Sequence, residues 1–242
     1  KGKAYPVYYR YKSVSGAAKE VILDENQLAK GKAFFALGVY AISPDQRYLA
    51  YSTDTKGDEN YTLFLKDLDS GLTKSLGVEQ ISDFIWCADS HSFFYITTNE
   101  RWQSDRSFLA NIREPKGKLQ YQEINPYYDL SFYKSSDRSK IFLLSYGKKD
   151  TEVRVADAAA PEKGFEVFWP REQELISYPD FMNGNYYIHT NFSCADMDIQ
   201  VSSDSLPASD WKSLIAGKEG EPISTFLLFA GRLALIRRIN GF

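Results

Sequence analysis

Few residues in this 242-residue chain are of the kinds that do covalent or metal chemistry. A serine nucleophile on a tight strand-to-helix turn needs Gly-x-Ser-x-Gly, yet none of the 15 glycines has Ser two positions later. No two glycines are separated by one residue, which removes the dinucleotide-binding fingerprint. No Gly-Lys pair precedes Ser or Thr, as a phosphate-cradling loop would require. His91 and His189 are the only histidines, and neither has a partner at metal-ligand spacing. Polar surface or hydrogen-bonded roles suit both. Cys87 and Cys194 make neither a disulfide framework nor a metal knuckle, and read as two partly buried thiols. Such thiols suit a reducing compartment, so the expected location is the cytoplasm, with the periplasm as the alternative. Lys66-Asp67-Leu68-Asp69-Ser70-Gly71 has the start of a calcium loop without its remaining ligands, and reads as a hairpin turn. Asn60-Tyr61-Thr62 and Asn191-Phe192-Ser193 fit the glycosylation pattern, which is common by chance. The acids of Asp54-Thr55-Lys56-Gly57-Asp58-Glu59 sit in a hairpin loop. No metal and no cofactor are expected, and a self-contained enzyme is disfavoured.

Composition narrows the class further. Hydrophobic residues make up 43%, charged residues 25% and aromatics 15%, with a formal net charge of -3. A chain with 17 Tyr, 16 Phe and near-balanced charge has enough apolar surface to fold, which excludes disorder. Lys and Arg (29) are outnumbered by Asp and Glu (32) and form no basic block, so no nucleic-acid partner is expected. The longest nearly apolar stretch, Ala33 to Ile42, is too short to cross a bilayer, so no membrane association is expected. No leader is expected either, because Lys1-Gly2-Lys3-Ala4-Tyr5-Pro6 runs straight into strand-like sequence.

The elements that must position any site are organised by a repeat. Five segments share a turn built on Asp, Asn or Gly followed by a short aromatic or aliphatic strand. They begin at Ser43-Pro44-Asp45, Ala88-Asp89-Ser90, Ser136-Asp137-Arg138, Met182-Asn183-Gly184 and Ala230-Gly231-Arg232. Leu49, Phe93, Ile141, Tyr186 and Leu233 are equivalent in them, spaced by 44, 48, 45 and 47 residues. A second strand keeps the same phase: Leu63, Leu109, Val153 and Ile199 are 46, 44 and 46 apart. Period-two alternation with little helical pattern, at roughly 40–50 residues per unit, describes an all-β chain of four-stranded antiparallel β-propeller blades. The expected organisation is one incomplete propeller over 1–242, with repeats at 1–38, 39–80, 81–126, 127–174 and 175–222, and 223–242 starting another. The aromatic residues then fill the space between blades. One helical turn is expected at Asp24–Gly31, with Asp24 as N-cap, Gln27 three residues on and Gly31 at C′.

Val21-Ile22-Leu23-Asp24, Leu28-Ala29-Lys30-Gly31, Ser43-Pro44-Asp45, Leu49-Ala50-Tyr51-Ser52, Gly57-Asp58-Glu59, Tyr61-Thr62-Leu63 and Lys66-Asp67-Leu68 occur in this order. That series resembles the N-terminal β-propeller domain of the prolyl oligopeptidase family of serine peptidases, in its oligopeptidase B (protease II) branch. Tyr5-Pro6-Val7-Tyr8-Tyr9-Arg10, Glu152-Val153-Arg154-Val155 and Pro170-Arg171-Glu172 also fit. The resemblance covers nearly the whole chain, is specific up to Gly71, and thins towards Phe242.

The resemblance implies a seven-bladed propeller capping an α/β-hydrolase domain that carries a Ser-Asp-His triad. It implies cleavage of short peptides after Arg or Lys, with the propeller admitting oligopeptides and excluding folded proteins. None of the triad maps onto this chain, so no catalytic residue is assigned in it. The expected partners are the hydrolase domain of the same polypeptide and an oligopeptide substrate. Glu100 and Arg101, in Thr97-Thr98-Asn99-Glu100-Arg101, are the interdomain or gating candidates, Glu100 pairing with an Arg of the hydrolase domain. The plain alternative for Glu100 is a solvated loop carboxylate. Asp54, Asp58 and Glu59 could face an incoming basic peptide, although a simple turn fits them better. The alternative function is a stand-alone propeller that binds a protein or ligand. An open ring would present Phe226-Leu227-Leu228-Phe229 to water, and self-association is then expected.

Overall fold

A computed structural model describes residues 2, 4–11, 19–203 and 211–239. Lys1 and Lys3 of the opening motif, and Phe242, lie outside the described residues. Among the described residues the regular structure is β, apart from one four-residue helix and one short 3-10 turn.

Chain order and sheet order coincide throughout. A hairpin of β1 (Val7–Tyr11) and β2 (Lys19–Asp24) opens the chain and leads into α1 (Glu25–Leu28). The first four-stranded sheet is β3 (Ala36–Ile42), β4 (Tyr48–Asp54), β5 (Thr62–Asp67) and β6 (Thr73–Ser75). The second is β7 (Ile81–Trp86), β8 (Ser92–Thr98), β9 (Ser104–Asn111) and β10 (Lys118–Gln122). The third is β11 (Asp129–Lys134), β12 (Lys140–Tyr146), β13 (Thr151–Asp157) and β14 (Glu166–Trp169). The fourth is β15 (Ser177–Met182), β16 (Asn185–Thr190), β17 (Asp198–Ser202) and β18 (Lys212–Ile215). A hairpin of β19 (Ile223–Phe229) and β20 (Arg232–Arg237) follows.

Both strand markers therefore fall on real equivalents, the second and third strand of each sheet. Two expectations need correction. The opening unit, 1–38, contains a two-stranded hairpin and no four-stranded sheet, and its boundary falls inside β3. In α1, Asp24 caps as expected, accepting from the Asn26 N–H at 2.9 Å. The C-cap is Ala29, however, so Gly31 (φ +75°) stands at C″ rather than C′.

The second strands are apolar without alternation because both of their faces are covered. In β4, Leu49 and Tyr51 pack with Ile22, Leu23 and Leu68, while Ala50 between them joins a cluster with Phe84, Trp86 and Phe93. In β12, Phe142 and Leu144 pack against Tyr186 and Ile188 of the fourth sheet, along with Phe168 and Trp169. Aromatic side chains thus fill the space between successive sheets, as the composition implied. Phe93, Phe94, Phe142 and Phe168 are all buried, and truncating one to Ala would cost about 3–5 kcal/mol. Pro179 sits within β15, where an edge strand spares it a ladder hydrogen bond on one side.

By internal packing the chain divides into two compact units, residues 1–102 with 108–118, and residues 103–107 with 119–242. In the last hairpin the run Phe226–Phe229 alternates: Leu228 is buried while Leu227 and Phe229 are more than half exposed.

Candidate functional site

Antiparallel order gives each four-stranded sheet two unlike ends. One end carries the turns joining its first strand to its second and its third to its fourth. The other carries the loop from second to third strand and the link leaving the sheet.

The first end is built from short self-capping turns. Gln46, Ser90 and Arg138 occupy the same place in three sheets, each with φ between 62° and 64°. The Asp preceding each one turns its carboxylate back onto the chain. Asp45 accepts from the Arg47 N–H at 3.1 Å, Asp89 from His91 and Ser92 at 3.0 and 2.8 Å, and Asp137 from Ser139 at 2.9 Å. Partial burial would raise all three carboxyls, but these hydrogen bonds hold them below the usual range. His91 is an exposed member of such a turn, as expected.

At the opposite end lie the acids that the sequence singled out. Asp54, Asp58 and Glu59 occupy the loop between β4 and β5. Asp54 is buried and committed to its own loop: Oδ1 accepts from the N–H groups of Lys56 and Gly57 at 2.7 and 2.9 Å, and Oδ2 from Glu59 at 3.0 Å. Burial favours the protonated form, yet these backbone donors prevail and hold Asp54 below the usual carboxylate range. Asp54 therefore organises the turn. Asp58 and Glu59 are exposed on it.

Glu100 and Arg101 occupy the corresponding loop of the second sheet, after β8, and both are exposed. The turn is shaped by Asn99, whose Oδ1 accepts from the Arg101 N–H at 2.9 Å, and by Trp102 at φ +58°. Neither Glu100 nor Arg101 makes an ion pair among the described residues. Trp102 beside them is 63% exposed.

A constellation that sequence reasoning missed lies in the second unit. Glu123, just after β10, is 4% exposed. Its Oε2 accepts from Arg171 Nη2 at 2.5 Å, from the Ser145 hydroxyl at 2.6 Å and from the Tyr121 hydroxyl at 3.2 Å. Its Oε1 accepts from the Asn125 N–H at 2.9 Å. Arg171 also donates to Ser145 Oγ at 2.7 Å and lies 3.6 Å over the Tyr128 ring, whose hydroxyl donates to Asp150 at 2.5 Å. Burial opposes both charges, but Arg171 and the hydroxyl donors hold Glu123 below its usual value, and Glu123 holds Arg171 above its own. A buried pair this well satisfied is one whose single-partner removal is costly.

The pair knits several loops into one rim. Gln103 donates to the carbonyls of Asn125 and Tyr128, both at 2.8 Å. The Thr151 N–H donates to the Leu175 carbonyl, and the Ile176 N–H to Asn191 Oδ1 at 2.7 Å. Glu123 and Arg171 are 48 residues apart, one repeat period, and lie one and two residues past the fourth strands of their sheets. Opposite charges at that shared phase were the available signal.

His189 is buried and its Nε2 is paired with the Ile223 carbonyl at 2.8 Å. Cys87 is buried and Cys194 half-buried, and neither is in a disulfide. Among the described residues no group of three or more His, Cys, Asp or Glu is placed to hold a metal ion. No helix among them is long and apolar enough to cross a membrane.

Comparison with known proteins gives this geometry its context. Residues 1–242 match the family model described as prolyl oligopeptidase, N-terminal beta-propeller domain. The chain is 28% identical over 261 residues to dipeptidyl aminopeptidase BI of Pseudoxanthomonas mexicana, covering 99% of this chain and 36% of that protein. It is 25% identical over 254 residues to protease 2 of Moraxella lacunata, covering 100% of this chain and 36% of that protein. Among solved structures, oligopeptidase B of Leishmania major superposes with a TM-score of 0.89 at 23% identity, over the whole of this chain and 35% of that one. The closed form of oligopeptidase B from Trypanosoma brucei, with covalently bound antipain, gives 0.87 at 25% identity with the same coverage. The chain thus spans about a third of the length of the proteins it matches.

Proposed function

The chain belongs to the prolyl oligopeptidase N-terminal β-propeller family, and from that premise we propose that it is the access-controlling propeller of a serine oligopeptidase of the oligopeptidase B kind. The family is one of hydrolases, and this chain is its propeller part without the catalytic domain. In the proposed enzyme the nucleophile belongs to an α/β-hydrolase domain of the same polypeptide. The propeller restricts entry to short peptides, which are cut after Arg or Lys. The full propeller would have seven blades, of which this chain supplies four complete sheets and two hairpins. Two free cysteines favour a reducing, cytoplasmic setting.

The observation that carries the reading is the family match over the entire chain, joined to the unlike ends of its sheets. The self-capped turns close one end in polar loops. The other end of the sheets bears exposed groups in each unit taken by itself: Asp58, Glu59, Glu100 and Trp102 in the first, and Ile124, Tyr127 and Phe192 in the second. That second end is where a catalytic domain and a basic peptide would be met. In this arrangement Glu100 pairs with an arginine of the hydrolase domain, and Arg101 lies beside it at the gate.

The test is the full-length protein encoded with this chain. It should hold a Gly-x-Ser-x-Gly segment, react with a serine-directed phosphonate, and release a fluorogenic group after Arg or Lys in short peptides. The 242-residue chain alone should give no turnover. A full-length protein without that segment that binds a protein or ligand instead would favour the stand-alone binding module.

A further inference from the structure

The loop 124–127 combines two properties that rarely coincide. Its backbone is held on every side, yet it offers its two largest apolar side chains to solvent: Ile124 is 88% exposed and Tyr127 83%. Glu123, at its start, is fixed by Arg171, Ser145 and Tyr121, and its own N–H donates to the Asp105 carbonyl at 2.8 Å. Asn125 is held at its N–H by Glu123 and at its carbonyl by Gln103, and its Oδ1 accepts from the Tyr127 N–H at 3.1 Å. Tyr128, at its end, carries the Arg171 guanidinium on its ring and Asp150 on its hydroxyl. Every polar handle points inward, while the two apolar side chains point out.

We infer that Glu123 and Arg171 are positioning residues, a buried charge clasp that holds Ile124 and Tyr127 as a preformed apolar foot on which the catalytic domain of the same polypeptide seats. The inference rests on the function proposed above. It commits to that occupant because the foot stands at the same end of its unit's sheets as the exposed Phe192, and because the chain covers only about a third of its relatives. Ordering a loop and immobilising side chains at an interface both oppose association. A loop ordered in advance removes the first of those costs. Arg171 makes the clasp sensitive to charge, since its Nε is buried with no partner and its guanidinium depends on Glu123. With the carboxylate neutralised, the guanidinium loses its partner and the loop its anchor.

The experiment uses the full-length protein and four variants: Glu123→Gln, Arg171→Lys, the exposed pair Ile124→Ala/Tyr127→Ala, and all of Glu123→Gln/Ile124→Ala/Tyr127→Ala. Peptide kcat/KM, the rate of labelling by a small serine-directed phosphonate, the thermal midpoint and the radius of gyration in solution are measured for each. The clasp variants should lose tenfold or more in kcat/KM and shift to a more open, larger radius, with labelling unchanged. The exposed pair should reproduce both effects without a shift in thermal midpoint, which a merely structural role would not do. The combined variant should lose no more than the larger single loss. Wild-type kcat/KM and radius in Ile124→Ala/Tyr127→Ala would overturn the inference, whether or not Glu123→Gln folds. So would a loss of peptide cleavage with the radius unchanged, which would make the foot a peptide contact instead. A wild-type protein that cleaves no peptide would instead overturn the proposed function itself.

Discussion

The indole N–H of Trp86 donates to the Ala41 carbonyl at 2.9 Å, joining the first strands of two successive sheets across 45 residues. Two periods later the direction reverses: the Tyr133 hydroxyl donates to the Pro179 carbonyl at 2.9 Å, 46 residues on. These are among the few polar bonds in otherwise apolar seams. Replacing Trp86 by Phe keeps most of the packing and removes the donor, so stability should fall by about 1–3 kcal/mol, and Tyr133→Phe by about 1 kcal/mol. Urea unfolding measures both, and unchanged midpoints would show that apolar packing alone aligns the sheets.

Asp54 should be intolerant of its nearest relative. Asn presents an NH2 group to one of the N–H donors that the carboxylate now accepts, so Asp54→Asn should cost about 1–3 kcal/mol at neutral pH. The folded carboxyl sits below its unfolded value near 4. Its contribution is therefore complete above that value and is lost as pH falls through the folded one. The gap between wild type and variant should begin to narrow below about pH 4 and close as the pH falls through the folded value. An equal gap at pH 3 and pH 7 would contradict this.

His189 imposes a slope in a different window. Burial lowers its pKa, and neither the Ile223 carbonyl nor the Asp198 charge restores it. The unfolded chain takes up a proton near pH 6.5, where the folded one does not. Stability should be full above that pH and should decline as the solution is acidified towards the folded value. His189→Gln can still donate to Ile223 and should flatten this decline. Denaturant midpoints at pH 7.5 and 5.5 provide the measurement; a slope equal to wild type would assign it to other groups.

The last hairpin should drive association of the 242-residue chain when it is made alone. Leu227, Phe229 and Ile236 are each more than half exposed on a two-stranded sheet with an open edge. Light scattering over a dilution series should show mass rising with concentration, and Leu227→Lys/Ile236→Lys should suppress the rise. A monodisperse monomer at high concentration would exclude it.

Strand identity and phase were legible because they depend on neighbours in sequence. Asp45, Asp89 and Asp137 each precede a left-handed residue and cap N–H groups two positions on, so each turn carries its own signature. The second strands of the four sheets, each with a run of three or four consecutive apolar residues, marked themselves in the same way. Glu123 and Arg171 did not, because nothing local distinguishes a clasped carboxylate from a solvated one. Their meeting requires two links to be brought together by the third sheet between them. Asp54 shows the local case, since its carboxylate caps the N–H groups of its own loop. An acid in a turn has backbone donors within reach before any partner arrives.

Sheet order equal to chain order has a consequence for how the molecule is made. Every ladder in the first, third and fourth sheets joins strands adjacent in sequence. Closing such loops costs little entropy, and their contacts need nothing from the distant chain. During synthesis each sheet can therefore zip together as it leaves the ribosome and offer its apolar face to the next one to emerge. Growth of this kind keeps the newest sheet as the aggregation-prone surface at every moment, so a pause in translation between sheets would be more hazardous than one within a turn.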